Sequence, residues 1–221
     1  MWYSEEKKRQ AGDIPMSYRR EDSNAEQAFA RFLDKYFYPR YFDYAERMYG
    51  RGPQLSGIDV VAQKDGISYN IDEKAQLHYI NKDLPTFAFE LSSTRMSNGA
   101  VNQGWLLNGT LLTDKYLLLW PFARTNSFMG IQEEDFCAAR FSLVDRAKLI
   151  HFLCQNGFSP DALEKDVARI RQEDMAGRVY SDNPDIYYYR STQLDEGPIN
   201  LVIKRKLIDS IADGSGYIQR P

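Results

Sequence analysis

A chain of 221 residues, 43% hydrophobic and 27% charged, has the composition of a globular domain and is long enough to bury one generous core. No apolar run approaches the ~20 residues of a membrane-crossing helix, and the polar residues 1–8 do not read as a secretory signal. A net charge of -3 argues against a broad non-specific coat for nucleic acid, which would be strongly basic, and leaves room for a local basic stripe.

In chain order, residues 1–22 are charged and aperiodic and read as an N-terminal arm. A helix is expected from Ser23 or Asn24, either of which can cap it, with Ala25, Phe29, Phe32, Leu33, Tyr36 and Phe37 at helical spacing and Pro39 as its stop. After Gly57 the period changes to two. Residues 57–62 form a short strand, Lys64-Asp65-Gly66 a turn, and residues 67–79 a long alternating run. One face of that run carries Ile67, Tyr69, Ile71, Ala75, Leu77 and Tyr79, interrupted only by Glu73. The other carries Ser68, Asn70, Asp72, Lys74, Gln76 and His78.

Another strand is expected at 86–91, a hairpin around Asn108-Gly109 and a buried strand at 116–120. Ser142 to Asp145 reads as a capping box for a helix with Ala147, Ile150 and Leu153 on one stripe, stopped by Gly157. Ser159-Pro160 opens the next helix, with Leu163, Val167 and Ile170 inward. Strand-like runs at 186–190 and 200–208 close the chain. The order gives a mixed α/β (α+β) class, with one domain over 23–221 and a C-terminal helical and strand extension from about residue 140. Cys137 and Cys154 form no disulfide framework, which suits a cytoplasmic protein, and both read as small core hydrophobes.

Phosphodiester hydrolysis uses divalent cations held by hard oxygen ligands, together with a group that places or activates water. Two acids on neighbouring strands make a clamp for such an ion. A lysine two residues beyond one of them points to the same side of the sheet, within reach of developing charge. Asp59, Asp72 and Lys74 have this arrangement, and Gln76 continues the line. Alternation selects Asp72 over Glu73 as the acid beside Lys74.

Gly57-Ile58-Asp59, a hairpin, then Asp72-Glu73-Lys74 resembles the bipartite motif of the PD-(D/E)xK nuclease superfamily. The resemblance covers residues 23–120 and departs from the pattern at Ile58, where the family carries proline. It implies a restriction-endonuclease-like mixed β-sheet flanked by helices. It also implies Mg²⁺ or Mn²⁺ held by Asp59 and Asp72 with help from Glu26 on the first helix, Lys74 as the water-positioning group and Gln76 as an auxiliary contact. Gln103 stands where some members carry a glutamine. The implied partner is nucleic acid, in the first place DNA, with no membrane and with a homodimer as one way to cut two strands.

Each residue also has a plainer reading. Glu26 suits the first turn of any helix, Glu90 is either a site residue or a paired sheet residue, and the tyrosines and arginines over 36–51 either line a groove or pack the core. Lys204-Arg205-Lys206 reads as a solvated strand edge. Two rival functions follow: an inactive nuclease-fold module that binds nucleic acid or assembles with protein, and an unrelated interaction domain with D-x-K as surface decoration. His78 and His151 are assigned no role.

Overall fold

The computed structural model describes residues 16–95, 98–194 and 196–221. Of the expected arm, residues 1–15 lie outside the described residues and 16–22 belong to a helix. That helix, α1 (Met16–Tyr36), starts well before Ser23 and ends just ahead of Pro39. Pro39 falls in a separate short turn of helix, α2 (Tyr38–Tyr41), where its missing N–H costs nothing. Then come β1 (Tyr44–Arg47), a short α3 (Arg51–Leu55), β2 (Val60–Lys64) and β3 (Ile67–Ala75). The β2–β3 hairpin turns through Asp65 and Gly66, both at positive φ (52° and 78°), as the Asp-Gly pair requires.

β4 (Thr86–Thr94) and β5 (Val101–Gln103) follow, then β6 (Lys115–Ala123), β7 (Phe136–Asp145), α4 (Arg146–Gln155) and α5 (Pro160–Gln172). The chain closes with β8 (Gly177–Tyr180), β9 (Ile186–Arg190), β10 (Ile199–Lys204), α6 (Arg205–Ile211) and β11 (Gly214–Gln219). No helix among the described residues is long and apolar enough to cross a membrane.

The strands form two sheets. One is mixed, in the order β1-β2-β3-β6-β7-β11, with β3 and β6 parallel and every other pair antiparallel. The other is antiparallel, in the order β5-β4-β10-β9-β8. The protein is therefore mixed α/β, with two sheets and flanking helices. A parallel pair needs a crossover, usually helical. Here the β3-to-β6 crossover carries β4 and β5 into the second sheet.

Two cores result. On one side of the mixed sheet, α1 and α2 bury Phe29, Phe32, Leu33 and Phe37 against Ile71, Leu117 and Leu119. On the other side, Tyr116, Leu118 and Trp120 of β6 meet Phe87 and Phe89 of β4, with Leu149, Leu163 and Ile170 of α4 and α5 in the same core. β6 reads as continuously apolar because both of its faces are buried.

Several expectations are corrected. Residues 104–114 form turns rather than a hairpin, because the Asn108 side chain accepts from the Thr110 N–H and hydroxyl and bends the chain locally. Ser142 to Val144 are strand, and the helix cap is Asp145 alone, accepting from the Lys148 N–H at 3.0 Å. Ala147 is exposed, and Leu149 takes its place in the core. The strand expected to run to Ile208 stops at Lys204, and Arg205 opens α6. β10 lies inside its sheet, so Lys204-Arg205-Lys206 is no free edge: Arg205 pairs with Asp83, and both lysines pair with Asp185. Cys154 is exposed rather than core. Ser159, Leu163, Val167 and Ile170 stand where periodicity puts them.

Candidate functional site

Asp59 sits immediately before β2, where the hairpin ladder gives way. Its backbone N–H donates to the Ile71 carbonyl at 2.9 Å, its carbonyl accepts from the Met48 N–H, and its Oδ2 accepts from the Glu73 N–H at 2.8 Å. The carboxylate thus replaces a main-chain acceptor at the open end of the β2–β3 pair, next to the Asp72 carboxyl on the adjacent strand. Lys74 lies two residues further along β3, and its Nζ donates to Asp72 Oδ1 at 2.5 Å. Asp59, Asp72 and Lys74 come together.

Alternation resolves the two adjacent acids. Glu73 turns toward α1 and α2, where it accepts from Tyr38 Oη at 2.6 Å and from both terminal nitrogens of Arg47 at 2.9 Å. Arg47 also holds Asp34 of α1 through Nη2 at 2.7 Å. Burial pushes the Glu73 carboxyl up, against the pull of Arg47 and Tyr38. So Arg47 and Tyr38 are used in packing, and Glu73 belongs to a buried ionic clamp between α1 and β3.

The Asp72 side of β3 faces the second sheet, not bulk water. Asp72 is 2% exposed, and its Oδ2 is buried with no hydrogen-bond partner among the described residues. Burial, opposed by Lys74 and reinforced by the neighbouring Asp59 carboxylate, pushes the Asp72 carboxyl up to about 7. Gln76, just past β3, donates to the Thr86 carbonyl at 3.3 Å, and its Oε1 is likewise buried and unpartnered. Two acceptors without donors therefore flank Lys74, an arrangement that costs stability unless something fills it.

Residues outside the motif complete the surroundings. Lys74 Nζ lies 5.4 Å from the centroid of the Trp105 ring, which packs against Phe89 and Tyr116. Asp72 and Tyr116 are register partners on β3 and β6. Tyr116 Oη accepts from Arg146 Nε at 3.1 Å, and burial pushes the phenol up to about 12. Glu90 of β4 is half-buried; burial raises its carboxyl, with Ser93 and Lys74 acting the other way and Glu196 adding to the rise. Sequence reasoning missed Trp105 in a turn, Tyr116 on β6 and Arg146 at the start of α4, which no spacing marks.

A cleft of about 540 Å³ runs between α1 and the mixed sheet, and Glu26, Asp34, Arg47, Asp59, Glu73 and Lys74 line it. Glu26 is exposed on this wall. Among the described residues no group of three His, Cys, Asp or Glu side chains is placed to hold one ion. Gln103 stands on β5 and donates to Glu164 of α5 at 2.9 Å. His78 packs edge-on to Phe128, 4.5 Å between ring centroids. Compared with family models, curated proteins and solved structures, the chain matches none.

Proposed function

We propose that this chain is a metal-dependent nuclease of the PD-(D/E)xK type, hydrolysing phosphodiester bonds, with DNA as the first substrate to test. One observation carries the reading: two carboxylates, Asp59 just before β2 and Asp72 on β3, meet where the hairpin opens, with Lys74 further along β3 and Asp72 Oδ2 buried without a donor among the described residues. An oxygen left without a donor beside a second carboxylate suits a hard divalent cation. The element order supports a restriction-endonuclease-like core: a helix, an antiparallel three-strand run and a parallel return strand, β6.

In this reading Asp59 and Asp72 hold Mg²⁺ or Mn²⁺, which supplies charge neutralisation on the phosphate and a more acidic water. The Lys74 ammonium, beside Asp72, would orient water and meet the charge that develops on the phosphate. Glu26 and Gln76 assist from the cleft wall and from the end of β3. A homodimer would bring two such sites to two strands.

One observation favours the rival reading of an inactive module with the same fold. Lys74 is already bonded to Asp72 Oδ1 at 2.5 Å, and Asp72 does not line the cleft. Calorimetric titration with Mn²⁺ separates the two. The enzyme reading expects saturable uptake by the wild type, with more than a tenfold loss of affinity in Asp59→Ala. Equal uptake by wild type and variant, or none by either, removes the metal site and with it the enzyme.

A further inference from the structure

The second sheet has an outer face that the cleavage reading does not use. At its β8–β9 end, Arg178 and Tyr180 stand opposite Tyr189 and Tyr187. Val179, Ile186 and Tyr188, which alternate with them, turn into the core, so these four side chains share the other side. Tyr180 is 74% exposed and Tyr189 45%. The Arg178 guanidinium lies 3.8 Å from the centroid of the Tyr187 ring and 4.8 Å from that of Tyr180. It makes no hydrogen bond or ion pair with the described residues. Asp174 pairs with Arg190, and Asp185 with Lys204 and Lys206.

Tyrosine is a good strand former, and a single exposed ring on a strand needs no explanation. This patch has more: three tyrosines on two adjacent strands around a guanidinium that a ring already orders and no carboxylate neutralises. Stacking leaves the N–H groups of the guanidinium, which lie in its plane, free for a phosphate, and an exposed phenol ring offers a surface to a base. Bases inside a duplex already stack on one another, whereas those of a single strand are available. We infer that the outer face of β8 and β9 binds single-stranded nucleic acid, with bases on Tyr180 and Tyr189 and a phosphate on Arg178. The inference is independent of cleavage, and it names the form in which a strand would be held.

The test is fluorescence anisotropy with a labelled oligothymidylate of about 20 nucleotides and a duplex of equal length, both in EDTA so that the acidic site plays no part. The single strand is expected to bind more tightly than the duplex. Tyr180→Ala and Tyr189→Ala should each weaken it at least about fivefold. Arg178→Gln should lower the slope of log affinity against log salt by about 0.7, one phosphate contact. Tyr79→Ala, an exposed ring elsewhere, should leave affinity unchanged. Equal binding by the wild type and the patch variants overturns the inference, as does a preference for duplex. A patch variant that changes the sedimentation of the protein and not its affinity overturns it too, and makes the face a contact between copies.

Discussion

Asp72 is a buried carboxyl with one oxygen unmet and a second carboxylate beside it. A carboxyl pushed up to about 7 by burial keeps its proton in the folded chain where the unfolded chain has already lost it. The folded state then binds more protons than the unfolded one between about pH 4 and 7, so stability falls as pH rises through that window. The Asp72 contribution is full below about pH 4 and lost above about pH 7. In EDTA, Asp72→Asn should therefore equal the wild type near pH 4 and exceed it near pH 8, by on the order of 2–4 kcal/mol. Urea unfolding of both proteins at the two pH values reads this difference. A constant gap across pH would mean that Asp72 is already ionised in the fold. Glu73, one residue away, is raised in the same direction by burial, against Arg47 and Tyr38, which donate to it.

Among the elements, the turn after β5 decides whether Lys74 keeps its ring. Gly104 donates its N–H to the Leu91 carbonyl at 2.8 Å, and a Cβ at this position would stand 2.3 Å from the Glu90 carbonyl oxygen. Gly104→Ala must push the turn off β4 and carry Trp105 with it. It should cost about 2 kcal/mol or more, read as a lower urea midpoint together with a change in tryptophan fluorescence. An unchanged midpoint would show that the turn yields freely. Elements with local signals were legible in the sequence: the β2–β3 hairpin from Asp65-Gly66, α5 from Ser159-Pro160 and its three-four spacing, and β6 from its apolar run. Others were not. β7 carries Ser142 inward, bonded to Asp209 of α6, which breaks its period. β11 opens Gly-Ser-Gly and reads as loop, and β1 is too short to show alternation. The polar line Asp72, Lys74 and Gln76 was also legible, but not that a second sheet covers it, because that contact comes from β4, which does not pair with β3 at all.

At the scale of the whole molecule, the two sheets meet over β6, and the acidic pair sits at the rim of that contact beside the α1 cleft. A cation that fills an unmet acceptor there stabilises the folded state by mass action. At about a hundredfold excess over its dissociation constant, Mn²⁺ should add roughly 2.7 kcal/mol and raise the midpoint of thermal unfolding by about 5–10 °C. Asp59→Ala should show none of this rise, and an equal rise in both proteins would assign it to other acids on the surface. The measurement that bears most directly on the proposed activity is strand cleavage itself. Purified protein is incubated with linear, supercoiled and single-stranded DNA in Mg²⁺, in Mn²⁺ and in EDTA, alongside Lys74→Ala. The expected result is cleavage that needs the metal and falls at least about a hundredfold without the lysine. Cleavage by Lys74→Ala at the wild-type rate, or cleavage that persists in EDTA, would contradict the assignment of Asp59, Asp72 and Lys74.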